Sequence, residues 1–111
     1  MKHSYDPTLK GVMGWASAEL WHIGEITGMR DPDLQYAYAQ SVANSMAHLH
    51  DAMKELLADK RYKTAHADLR KTFNVVVRAL QGLMKRYKIS VAEIRKFNVR
   101  HVLGDLSYLS V

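Results

Sequence analysis

The residues best placed to do chemistry in this chain are Glu19, His22 and Glu25. Side chains three apart on a helix share a face. A carboxylate and an imidazole held that way could move a proton or give a metal ion two ligands. His48 with Asp51 repeats the spacing, and His66 adds another imidazole. A second set is Arg95 and His101. A third set is basic: Lys85, Arg86, Lys88, Arg95, Lys96 and Arg100, with Tyr87 and Phe97 interleaved. Such a cluster suits phosphate attraction and base stacking.

Each set resembles a known family in part. Glu19-x-x-His22 resembles a ligand pair of the di-iron helical bundles, which need two such pairs and two further Glu on facing helices. The second Glu-x-x-His is absent here. Arg95 and His101 resemble the Arg-x(4–6)-His motif of the HEPN ribonucleases, themselves helical bundles, and the resemblance implies His101 as base on a 2′-hydroxyl and Arg95 on the phosphate. In this chain Lys96 stands where that family has a polar residue. The segment 90–103, with Ser90-Val91-Ala92-Glu93-Ile94 followed by a turn and Val99 to Leu103, resembles a helix-turn-helix. That resemblance implies that Arg100 and His101 face the major groove. Asn98 replaces the usual turn glycine, and Gly104-Asp105 shortens the second helix.

Composition narrows the field further. With 48% hydrophobic and 24% charged residues over 111 positions, one folded domain with its own core is expected. Cysteine is absent, which removes disulfides, thiolate metal sites and cysteine nucleophiles and suits a reducing compartment. No apolar run is long enough to span a membrane. The first residues carry no apolar signal segment. The net charge of +5 is uneven: residues 1–60 sum to −3 and residues 61–111 to +8. Such asymmetry fits an anionic partner, or attraction between halves or subunits. No phosphate loop, nucleophile elbow or catalytic carboxylate pair is present.

The elements that must carry these residues are helices. Asp6-Pro7 and Asp31-Pro32 each pair an N-cap with a first-turn proline. They predict helices over 7–29 and 33–57. The first has an inward stripe of Leu9, Met13, Ala16, Leu20 and Ile23, leaving Trp15 and Trp21 outside it. The second has anchors at Leu34, Tyr38, Val42, Met46, Leu49, Met53 and Leu56 around a middle of Ala and Ser. A third, 62–88, has the seam Tyr62, His66, Leu69, Phe73, Val76, Leu80, Leu83 and Tyr87, which alternates steps of four and three. Lys71, Arg78 and Lys85 recur opposite it. A tight turn near 58–61 separates the second and third helices. Ser90 and Glu93 form a capping box for a short helix over 91–97.

The expected architecture is all-α: a three-helix antiparallel bundle with a short fourth helix and an apolar C-terminal tail. The expected function is non-enzymatic, a small structural or assembly protein such as a virus or phage particle component, working inside a cell or virion. It needs no cofactor and no metal. Its partners are other protein chains, copies of itself or a larger assembly, with no membrane. Candidate contact residues are Trp15, Trp21, Leu106, Tyr108, Leu109 and Val111, aromatic and apolar groups left over once the core is assigned. The alternatives are a nucleic-acid-binding module using residues 85–101, and a helical metal protein or HEPN-like ribonuclease.

Overall fold

The structure is a computed structural model that describes residues 8–97 together with Leu103, Gly104, Leu106 and Leu109. Four α-helices follow one another: α1 (Leu9–Thr27), α2 (Pro32–Ala58), α3 (His66–Tyr87) and α4 (Val91–Phe97). The fold is the all-α antiparallel bundle expected. Three contacts fix the sense of the first pair. Trp15 Nε1 donates to Ser45 Oγ at 3.1 Å, the His22 and Tyr38 rings meet edge to face at 6.1 Å, and Gln35 Nε2 donates to the Ile26 carbonyl at 2.9 Å. As one number rises the other falls, so α1 and α2 run antiparallel.

Local hydrogen bonds set the helix ends. Asp31 Oδ1 accepts from the N–H groups of Asp33 (2.9 Å) and Leu34 (3.4 Å), and Pro32 occupies the first turn. Ser90 Oγ accepts from the Glu93 N–H at 3.1 Å, and Glu93 Oε1 accepts from the Ser90 N–H at 3.4 Å, closing the capping box. At the start of α1 the observed cap is Thr8, whose Oγ1 accepts from the Gly11 N–H at 3.1 Å. Asp6 and Pro7, the expected cap, lie outside the described residues. Between α2 and α3 the chain makes a 3₁₀ segment (Lys60–Ala65) in which Tyr62 leaves helical geometry (φ −104°, ψ 18°). Tyr62 therefore does not begin α3, which starts at His66. Asp59 caps this segment, accepting from the Arg61 N–H at 2.9 Å. The Arg61 guanidinium beside it holds the Asp59 carboxyl below its ordinary pKa. The cap is thus fully ionised at neutral pH and weakens only as pH falls through that lowered value.

The core centres on α2. Ala39, Ala43, Ala47 and Ala52 are 0% exposed, and Val42, Met46, Leu49, Met53 and Leu56 are buried beside them. Leu34, expected as an anchor, is 59% exposed, because it lies in the first turn, before α2 enters the bundle. From α3 come Leu69, Val76, Leu80 and Leu83, all buried, with Phe73 and Tyr87 half-buried along the same seam. His50 of α2 is wholly buried with its ring 5.1 Å from that of Phe73.

On α1 the buried row is Val12, Ala16, Glu19 and Ile26, one row round from the stripe expected. Leu9, Met13 and Ile23 flank it, half-buried. The two rows share Ala16, and Glu19 disguised the true one as polar. A carboxylate can take a core position when a partner offsets its desolvation. Here His22 Nδ1 lies 2.9 Å from Glu19 Oε1.

The C-terminal segment closes one side of the bundle. Leu103, Leu106 and Leu109 are buried. Arg95 donates to the carbonyls of Leu103 (3.3 Å) and Gly104 (3.0 Å), and the Gly104 N–H donates to Asp51 Oδ1 at 3.1 Å. A Cβ at Gly104 would sit 2.7 Å from that same oxygen. Gly104→Ala must therefore push the Asp51 carboxylate away, and a loss of about 1–2 kcal/mol is expected in denaturant titration. His66 is the seam's other odd position. Its Nε2 is buried with no hydrogen-bond partner among the described residues. His66→Leu should raise stability by about 1 kcal/mol, seen as a higher denaturation midpoint at unchanged slope.

Candidate interaction surfaces

The proposed chemical sets can now be placed. Glu19 and His22 touch, but Glu19 is only 5% exposed and faces the core, whereas Glu25 is exposed on the other side of α1. Among the described residues no three His, Asp or Glu side chains gather where they could hold a metal ion. The Glu19–His22 pair therefore does not extend into the ligand set that the di-iron resemblance requires. Arg95 spends its guanidinium on the carbonyls of Leu103 and Gly104, so it is a clamp for the C-terminal segment. Its HEPN partner His101 lies outside the described residues. So do Asn98 to Val102, which carry the turn and most of the second helix of the helix-turn-helix resemblance, including Arg100.

Of the six candidate protein-contact residues, three are used internally. Trp15 is half-buried and hydrogen-bonded to Ser45. Leu106 and Leu109 are wholly inside, because the tail folds back onto its own bundle. These three are core residues in this structure, not free contact groups. Tyr108 and Val111 lie outside the described residues. Trp21 alone is left, and it is 63% exposed. It follows Val12 by about two and a half turns at 3.6 residues per turn, so it points directly away from the core. Its ring leans edge-on against His22 at 5.5 Å.

The surroundings of Trp21 went unnoticed in the sequence. Lys10, Gly14, Ser17, Ala18, Gly24, Glu25 and Gly28 are all exposed on the same outer side of α1. A Cβ built at Gly14 or Gly24 meets nothing within 4 Å. Nothing among the described residues therefore calls for glycine there, although a mid-helix glycine costs about 1 kcal/mol against alanine. Projecting α1 as a wheel centred on Val12 rather than Met13 would have revealed this face.

The basic residues form a different surface. Lys85, Arg86, Lys88, Arg95 and Lys96 are exposed. Arg86 lies over the Tyr87 ring, 5.7 Å from its centroid. Lys71 and Arg78 continue the exposed row along α3. Lys88 is the C-cap of α3 in left-handed geometry (φ 55°, ψ 43°). There the Ile89 N–H closes on the Met84 carbonyl at 2.9 Å. That closing turn favours glycine, which has no Cβ to crowd it. Beside it is a hollow of about 220 Å³ lined by Gln81, Lys85, Lys88 and Ser90 over Met84, Ile89 and Leu109.

No helix among the described residues is long and apolar enough to cross a membrane. Compared with protein-family models, curated proteins and solved structures, the chain matches none.

Proposed function

We propose that this chain is a non-enzymatic assembly protein that works by packing against protein, and that the outer face of α1 receives a second copy of itself. The observation that carries this reading is Trp21, a large aromatic residue aimed into solvent from a helix whose other side is fully packed. Exposed tryptophans in small surroundings make effective interface anchors.

The choice of a second copy rests on the pattern around Trp21. Two α1 helices crossed antiparallel, with the two-fold axis between Ser17 and Ala18, set Trp21 of each over Gly14 of the other. The same register sets Lys10 opposite Glu25 at both ends. A two-fold contact must be self-complementary in this way. Knob meets notch, cation meets anion, and the small residues between allow close approach. The unforced glycine at 14 is then accounted for, since bulk there would block the partner's indole.

The face runs about 22 Å from Lys10 to Glu25 at 1.5 Å per residue. That is small for an interface, so a dissociation constant on the order of micromolar is expected, with larger assemblies adding further contacts. Sedimentation equilibrium up to several hundred micromolar should show a species at twice the 12.7 kDa chain mass. Trp21→Ala and Gly14→Leu should each weaken it more than tenfold while the helical circular-dichroism signal persists. Glu25→Lys should weaken it too, and Lys10→Glu in the same chain should restore it. A chain that stays monomeric throughout, or a dimer indifferent to Trp21→Ala and Gly14→Leu, would overturn the reading.

A further inference from the structure

We infer that the outer face of α3, from Lys71 to Lys88, is a phosphate-backbone surface that binds duplex nucleic acid without sequence preference. No Asp or Glu occurs between Asp68 and Glu93, a stretch that holds Arg70, Lys71, Arg78, Lys85, Arg86 and Lys88. All six are exposed. None of Arg70, Lys71, Arg78, Lys85 and Lys88 has an ion-pair partner among the described residues. A surface cation row without counter-charges raises the local potential and is compensated by an anionic partner.

Geometry identifies the anion as a polymer. Lys71, Arg78 and Lys85 recur every seven residues, so they lie along a straight line about 21 Å long at 1.5 Å per residue. Measured along a duplex axis, where each strand places one phosphate per 3.4 Å, that length spans about six phosphates of one strand. Gly82 is exposed in the middle of the row, with open space where a Cβ would be, so the backbone of a ligand can come close to the helix. At the end of the row Lys85, Lys88 and Ser90 surround the 220 Å³ hollow, which offers ammonium and hydroxyl groups to a phosphate. Apolar anchors are sparse on this face: Val75, 45% exposed, is the one large hydrophobic residue on α3 that reaches solvent to that degree. That speaks against a protein partner here. Single strands bind through stacking on exposed aromatic rings. The aromatic residues of α3, Phe73 and Tyr87, are half-buried in the seam, which favours a duplex.

Lys88 adds an independent sign. It holds left-handed backbone geometry that a glycine would adopt at lower cost. A residue that stands against its own conformational preference points to a use for its side chain.

The test is fluorescence anisotropy of a 20-base-pair duplex against the full chain at several salt concentrations. Contacts from Lys71, Arg78, Lys85 and Lys88 predict that log K falls with log salt at a slope of about −3.6. The triple variant Lys71→Gln/Arg78→Gln/Lys85→Gln should flatten that slope by about 2.7. Lys88→Gly separates binding from folding, because it should raise the Tm while flattening the slope by about 0.9. Absence of binding at low salt, or a slope that neither variant changes, would overturn the inference. So would equal affinity for polyglutamate of matched charge, which would assign the face to an acidic protein. The face lies on a different helix from Trp21, so Trp21→Ala should leave it intact, and the two readings fail separately.

Discussion

How closely α1 and α3 can approach α2 governs the rest of the molecule. Ala39, Ala43 and Ala47 recur every four residues along α2 and are entirely without solvent exposure. A methyl group there lets a neighbouring helix come in near the short end of the usual 8–10 Å range. The bulk of the core comes from Val42, Met46, Leu49, Met53 and Leu56 of α2 itself, met by Val12 and Ile26 from α1 and by Leu69, Val76, Leu80 and Leu83 from α3. Larger residues on α2 would drive the outer helices apart and open the centre. A central helix whose alanines admit its neighbours closely thus commits the apolar side of each to the inside.

That commitment leaves two outer faces of opposite character. On α1 the solvent side is small and nearly uncharged apart from Lys10 and Glu25, with one indole projecting from it. On α3 it is a row of cations without nearby acids. Hydrophobic packing of the core requires neither arrangement, since many polar sequences would serve as well on a solvated face. Features that folding does not demand, and that cost a little stability, are where a use for the surface is best sought. Gly14, Gly24 and Lys88 are three such costs, and each lies on one of the two faces.

Much of the fold was legible in the sequence because its determinants are local. The Asp31-Pro32 and Ser90/Glu93 caps need only neighbours within four residues, and both form as expected. The α3 seam from Leu69 onward was legible because its steps of four and three are unbroken by a polar residue. The buried row of α1 was not, because Glu19 occupies it. Periodicity treats a carboxylate as an outward residue, and only the His22 contact makes its burial tolerable. His50 was hidden in the same way, an imidazole among alanines whose burial depends on Phe73 from another helix. Trp15 and the tail leucines looked spare because their partners are remote in sequence: Ser45 for the indole, and Asp51 for the backbone that carries the leucines inward. Of the surfaces, the heptad row on α3 was visible, whereas the glycine-flanked Trp21 face emerged only once the correct side of α1 was known.

Symmetry also relates the two faces. A two-fold axis through the outer side of α1 places α2 and α3 of each copy behind their own α1, away from the contact. The cation rows then remain on the outside of the pair, one per subunit. Each row would therefore stay open to its own anionic partner whether or not the pair forms, so neither surface depends on the other. Two separate outward faces on one rigid core are what packing both neighbours onto a central alanine-rich helix provides.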